Sequence, residues 1–434
     1  MTLKRIISVI MAALMAFAVI GCTAAVDPEA GKPGQDAQAP SAVAEDQSMY
    51  LNATGEVKPI AVYAAFAPDE GFVYDMRYTA CNNAFAAALT DAVWKHADDA
   101  DWSGVYSPLS LQIALQLLAN GGDEKTANEL MTALCGTMTR EEINASTARL
   151  LAMFDADSGV TVNNAVVASK DCRVNSDFAE TVGRYYNAAI GTLDFMDVKA
   201  AEAQINGWIS EHTDGLIKEL VKDLSNDTVT VLLNTLLLKL EWDAPFTVFR
   251  ELSAFEGTKG TESVSMMHRT DSMLYGSFDD GEMAVVPYLG GEYAMAVILP
   301  AEGVTPAKAA SALMGRWNEC AKKDVKVIMP KVELGTELNV LELVGDLGIA
   351  DAVRGNYSNL LTGNAEVTVT QIVQGAKLEV TENGTVAAAA TAIVANKGLP
   401  APAEFTIECN RPYAMVIYNV ETGTVLFVSI VNNI

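Results

Sequence analysis

Apolar residues recur at helical spacing over residues 80–96, 109–120 and 124–134, so the first part of the folded region reads as helix. Gly121-Gly122 closes the second of these, and Ser107 ahead of Pro108 places a capping hydroxyl before its first turn. Residues 160–168 read as strand, 177–186 and 200–213 return to the helical period, and 228–240 is a strand too apolar to lie open to water. From residue 283 onward strands prevail: MAVVPYL, YAMAVILP, KVIMP, VTVTQIVQGAKLEV, EFTIEC, YAMVIYNV and VLFVSIV, the last two joined by the turn Glu421-Thr422-Gly423. Helices first and antiparallel strands afterwards predict a mixed α+β domain with large sheets.

Composition narrows the picture. A chain of 434 residues, 50% hydrophobic and 19% charged, can bury a large core. Its formal charge of −26 argues against nucleic acid and anionic lipid as partners, since phosphate contacts need clustered Lys and Arg. Lys4 and Arg5 precede the apolar run 6–20, which closes on Val19-Ile20-Gly21-Cys22. That run of about 15 residues is short of the roughly 20 that span a bilayer. Residues 1–21 are therefore expected to be a signal peptide ending in a bacterial lipobox, with cleavage before Cys22 and a lipid on its thiol. Residues 22–49, rich in Ala, Pro, Gly and Gln, read as a flexible tether, 50–74 as a transitional segment, and 75–434 as the folded domain. The expected location is secreted and lipid-anchored, at the cell surface or in the cell envelope, facing the extracellular space. The anchor is then the sole membrane contact.

Candidate chemistry is sparse. Cys81, Cys135, Cys172, Cys320 and Cys409 are widely spaced and show no metal-ligand pattern, so they read as buried free thiols rather than a disulfide framework or a zinc site. The three histidines, His96, His212 and His268, have no neighbouring Cys, Asp or second His at ligand spacing. GxSxG, GxGxxG and GxxxxGK[ST] are absent, which leaves enzyme and nucleotide-binding readings without an anchor, and no cofactor or metal is expected. The feature left standing is TENGTVAAAATAIVANKG, residues 381–398, where four alanines that favour helix sit among β-branched residues that favour strand.

Following VTVTQIVQGAKLEV into TENGTVAAAATA, the sequence resembles the hinge of the serpin family of protease inhibitors: Glu382, Gly384, Thr385, then Ala387, Ala388, Ala389, Ala390 and Thr391. Further family motifs occur in order: Ser107-Pro108-Leu109-Ser110; Thr213, Gly215 and Ile217; Asn234 in LLNTLLLKLEW; Trp242 and Phe246; PYLGGEYAMAVILP; MPKVEL; LGIADAV; and the closing CNRPYAMVIYNVETGTVLFVSIV. The resemblance covers about residues 75–434. It implies three β-sheets, eight or nine helices and an exposed C-terminal reactive loop, here about 382–404, that inserts into a sheet after a protease cuts it, an insertion that is a general example of strand addition. Ser107, Ser110, Asn234 and Gln374, with Trp242, match the region where that sheet opens. Gln374 stands where the family commonly has a histidine, so a pH-responsive latch is not expected there.

Insertion explains the small side chains. With Thr385, Ala387, Ala389, Thr391, Ile393 and Ala395 facing inward, all but Ile393 are small enough to wedge between packed strands. Each bulky replacement would overpack at about 1–3 kcal/mol. Counting from the hinge glycine puts the cut bond at Gly398-Leu399, with Lys397-Gly398 as the alternative. The former suits elastase-like, subtilisin-like or papain-like proteases, the latter a trypsin-like one. The expected function is a monomeric suicide-substrate inhibitor, not an enzyme; a non-inhibitory binding protein on the same fold is the alternative.

Overall fold

The structure, a computed structural model, describes residues 74–97, 101–154, 158–362, 367, 369, 371–385 and 403–434. Helices and strands are numbered in chain order. Among the described residues there are nine α-helices: α1 (Met76–His96), α2 (Pro108–Asn120), α3 (Glu124–Cys135), α4 (Arg140–Leu151), α5 (Ser176–Tyr186), α6 (Val198–His212), α7 (Pro306–Leu313), α8 (Val340–Leu343) and α9 (Ala350–Val353). Local chemistry accounts for the starts of several. The Ser107 hydroxyl accepts the Ser110 amide, and Pro108 opens α2 where a missing N–H goes unnoticed. Thr139 and Glu142 form a reciprocal capping box on α4. Every residue of α2 except Ala114 is buried, an interior helix whose few polar residues are hydrogen-bonded inside, as Gln112 is to Asn82 and Gln116 to Thr147.

The largest sheet runs in the order β1 (Gly104–Tyr106), β18 (Val425–Val431), β17 (Tyr413–Asn419), β11 (Tyr293–Pro300), β10 (Gly281–Pro287), β9 (Met266–Phe278), β12 (Ala321–Pro330) and β16 (Phe405–Glu408), with β6 (Thr247–Val248) also on β9. β17 and β18 are buried at every position, the two-sided burial that their unbroken apolar runs require. The pairing is antiparallel except for β12 with β16, which is parallel. This pair departs from the antiparallel pattern that the sequence suggests for the late strands.

A second sheet is parted along its length. One half is β13 (Val332–Asn339), β14 (Val373–Val380), β15 (Gly384–Thr385) and β5 (Leu240–Glu241); the other is β3 (Ala188–Leu193), β2 (Val160–Ser169) and β4 (Thr230–Leu238). β5 continues β4 across Lys239, so the two halves are joined at one end only. A two-stranded ribbon, β7 (Ser253–Gly257) and β8 (Gly260–Val264), is the third sheet.

Two expectations are corrected. The strand read over 367–380 is regular only from Val373, because β14 pairs with β13 from there on, whereas Val367 and Val369 face the gap between the half-sheets. The cysteines are not all free: Cys81 and Cys135 form a disulfide with Cα atoms 5.1 Å apart, tying α1 to the end of α3. Their separation of 54 residues carries no spacing signature, and only helix packing brings the two thiols together. Cys409 is buried as expected, but Cys172 and Cys320 are half-exposed.

Candidate functional site

Where the second sheet parts, β15 lies between β14 and β5. Thr385 stands opposite Val380 on one side and Leu240 on the other, and Gly384 stands opposite Glu241. The hinge is thus already a short strand in the sheet. Gly384 is required by close approach, since a Cβ there would lie 2.1 Å from the Leu240 carbonyl oxygen.

The chain ahead of the hinge is pinned from below. The Trp242 amide donates to the Asn383 carbonyl at 2.9 Å, the Phe246 amide to the Glu382 carbonyl at 2.8 Å, and the Trp242 indole N–H to the Thr381 carbonyl at 2.9 Å. Lys331 pairs with Glu382 at 2.5 Å. Its hydrogen bond holds the Glu382 carboxyl below the usual range, against a smaller opposing effect of burial. The Trp242 ring stacks on Tyr288 at 4.3 Å with 7° between planes. Buried Arg269 fixes the segment after Trp242 by donating to Asp243 at 2.5 Å and to the Ala244 carbonyl at 3.0 Å.

Below the hinge, among the described residues, β4 and β14 share no backbone pairing. A cavity of about 100 Å³ lies there, lined by residues that include Ser110, Leu115, Leu233, Asn234, Val369 and Gln374. A polar cluster closes it against α2. The Ser107 amide donates to Gln374 Oε1 at 3.0 Å, and Gln374 Nε2 donates to the Ser107 carbonyl at 2.7 Å. The Ser107 hydroxyl donates to the Leu426 carbonyl at 2.7 Å, Ser110 Oγ to Asn234 Oδ1, and Asn234 Nδ2 to Asn164 Oδ1 at 2.6 Å. Ser107, Ser110, Asn234 and Gln374 therefore meet at one place, with Trp242 at the other end of the gap. The Gln374 amide satisfies both a donor and an acceptor of one backbone residue without a titrating group.

Three residues at the site carried no sequence-level role. Asn164 extends the polar cluster and donates to the Tyr186 carbonyl at 2.7 Å; a polar residue inside an apolar strand was the available signal. Tyr288 and Lys331 lie within PYLGGEYAMAVILP and MPKVEL, motifs legible only as wholes. Ala387, Ala388, Ala389, Ala390, Thr391, Lys397, Gly398, Leu399 and Cys22 lie outside the described residues. Among the described residues no cluster of three or more His, Cys, Asp or Glu is placed to hold a metal ion.

A seated hinge above two half-sheets that, among the described residues, are not paired to each other is the arrangement that the serpin resemblance implies. The serpin (serine protease inhibitor) family model matches residues 80–434, and the chain belongs to that family. Alpha-1-antichymotrypsin of Homo sapiens is 27% identical over 84% of this chain and 90% of its own. The native state of tengpin, a thermophilic serpin, superposes with a TM-score of 0.74 at 21% identity, covering 86% of this chain and 98% of its own. Thyroxine-binding globulin in complex with thyroxine gives 0.70 at 22% identity, covering 82% and 98%. At that identity the two structures speak for the fold alone. Membership supports a protease inhibitor of the serpin type, not an enzyme.

Proposed function

We propose that the protein traps its target protease as an acyl-enzyme by inserting its cleaved reactive loop into the parted sheet. The observation that carries this reading is the position of Thr385, paired with β14 on one side and β5 on the other directly above the gap between β4 and β14, with Gly384 beside it paired to β5. A loop continuing downward from Thr385 meets two strands that have no partner between them among the described residues, and each residue added gains backbone hydrogen bonds on both sides. Insertion of about 14 residues moves the attached protease on the order of 45 Å at 3.3 Å per residue. Its catalytic geometry is lost before water releases it, driven by a native state held behind a kinetic barrier.

The cut falls at Gly398-Leu399, with Lys397-Gly398 second, and the targets are elastase-like, subtilisin-like or papain-like enzymes ahead of trypsin-like ones. The inhibitor acts as a monomer outside the cell, carried on a lipid at Cys22. The Cys81–Cys135 disulfide supports an oxidising compartment. The second reading, a serpin-fold protein that binds a ligand without inhibiting, draws on the likeness to thyroxine-binding globulin. The alanine-rich hinge favours the first.

The test mixes the purified domain with one enzyme of each of the four classes and looks for a denaturant-resistant 1:1 adduct. Cleavage by every enzyme with no adduct refutes inhibition. Clean loop cleavage also raises the melting temperature sharply; an unchanged melting curve refutes insertion.

A further inference from the structure

The hydroxyl of Thr385 lies 2.6 Å from that of Tyr288, and both residues are fully buried. Thr385 is the first side chain of the loop that must face inward, and in the uncleaved chain it already does. We propose that Tyr288 is the positioning residue that keeps the hinge seated, so that insertion starts from a strand already begun rather than from a free loop.

Three features carry this. Tyr288 cannot swing away easily, because its ring is buried in the core and stacked on Trp242, which is itself held by the Thr381 carbonyl. Among the described residues only Thr385 of β15 is paired with both β14 and β5, so the backbone pairing seen there is by itself a weak hold. The seat is closed to solvent, so with one hydroxyl removed the other loses its partner while still buried, and the easiest relief is for Thr385 to leave. A threonine at this position thereby combines a small inward volume with a tether to the strand's starting point. An alanine would supply the volume only.

The inference rests on the reading that cleavage is followed by insertion, but its first readout needs no protease. Hydrogen exchange of the peptide spanning residues 381–385 is measured in the uncleaved full domain for wild type, Tyr288→Phe, Thr385→Val and the double variant. Each single variant orphans one hydroxyl and raises exchange about tenfold. The double variant, apolar on both sides, returns close to wild type. The stoichiometry of inhibition against pancreatic elastase and subtilisin follows the same order, rising in each single variant and falling back in the double. Unchanged exchange in the singles, or additive effects in the double, overturns the role of the hydroxyl pair. Should one single variant fail to fold, the other reads the same bond from its opposite side. Absence of any adduct with wild type would refute the inhibitory reading while leaving the exchange result to stand on its own.

Discussion

Replacing Gln374 with leucine tests whether the cluster under α2 clasps the sheet. The substitution keeps approximate volume and removes both hydrogen bonds to Ser107. The Ser107 amide is left in a buried position, at about 1–3 kcal/mol. The Ser107 carbonyl keeps the Leu111 amide as a donor, so its loss is smaller, about 0.5–1 kcal/mol. The sum is about 2–4 kcal/mol. At about 2.1 cal/mol/K per residue, a domain of roughly 360 residues has an unfolding entropy near 0.75 kcal/mol/K, so the melting midpoint falls about 3–5 °C. Differential scanning calorimetry on the uncleaved domain measures it. A midpoint within 1 °C of wild type refutes the clasp, because no buried backbone amide would then have been orphaned. Gln374→His adds a group that titrates near neutrality, and its midpoint acquires a slope between pH 5 and 8 relative to wild type.

Three further outcomes follow from the geometry. Thr385→Arg puts a guanidinium where the structure has no exposed surface, at a cost of several kcal/mol; adduct gives way to cleaved product on denaturing gels, and an undiminished adduct yield contradicts the register. Converting Cys81 and Cys135 together to serine opens a 54-residue loop, worth about 4 kcal/mol of chain entropy or about 5 °C; a midpoint insensitive to reductant contradicts it. Glu382, with its folded pKa depressed by Lys331, contributes fully above the ordinary glutamate value of about 4.3, and that contribution is lost as pH falls through the folded pKa. Wild type therefore melts above Glu382→Gln at pH 7, and the gap narrows as the pH falls from the ordinary glutamate value through the folded pKa; a gap that stays constant over that acid range would disprove the link.

How much of this was legible beforehand depends on what kind of residue carried it. Helix starts were, because Ser107 and Pro108 act on their own neighbours. The central strands were as well, since burial on two faces demands the unbroken apolar runs of β17 and β18. The members of the clasp could be gathered only through family resemblance: Ser107 and Gln374 are 267 positions apart, and no local rule joins them. Tyr288 and the disulfide escaped because their meaning lies wholly in the partner. A tyrosine in an apolar strand and a cysteine on a helix both read as ordinary core. The shortening of the 367–380 strand had the same origin, since regular pairing depends on whether a neighbour is present.

The disulfide also bears on the order in which the molecule is built. Cys81 and Cys135 both belong to the early helices, whereas β1 is completed only by β18, whose residues are synthesised long after them: Gly104 pairs with Ile430 and Tyr106 with Val428. The covalent link can therefore close while the centre of the largest sheet is still missing its final strands. A chain emerging from its amino end would carry a stapled helical core to the moment when the β17–β18 hairpin arrives to complete the sheet.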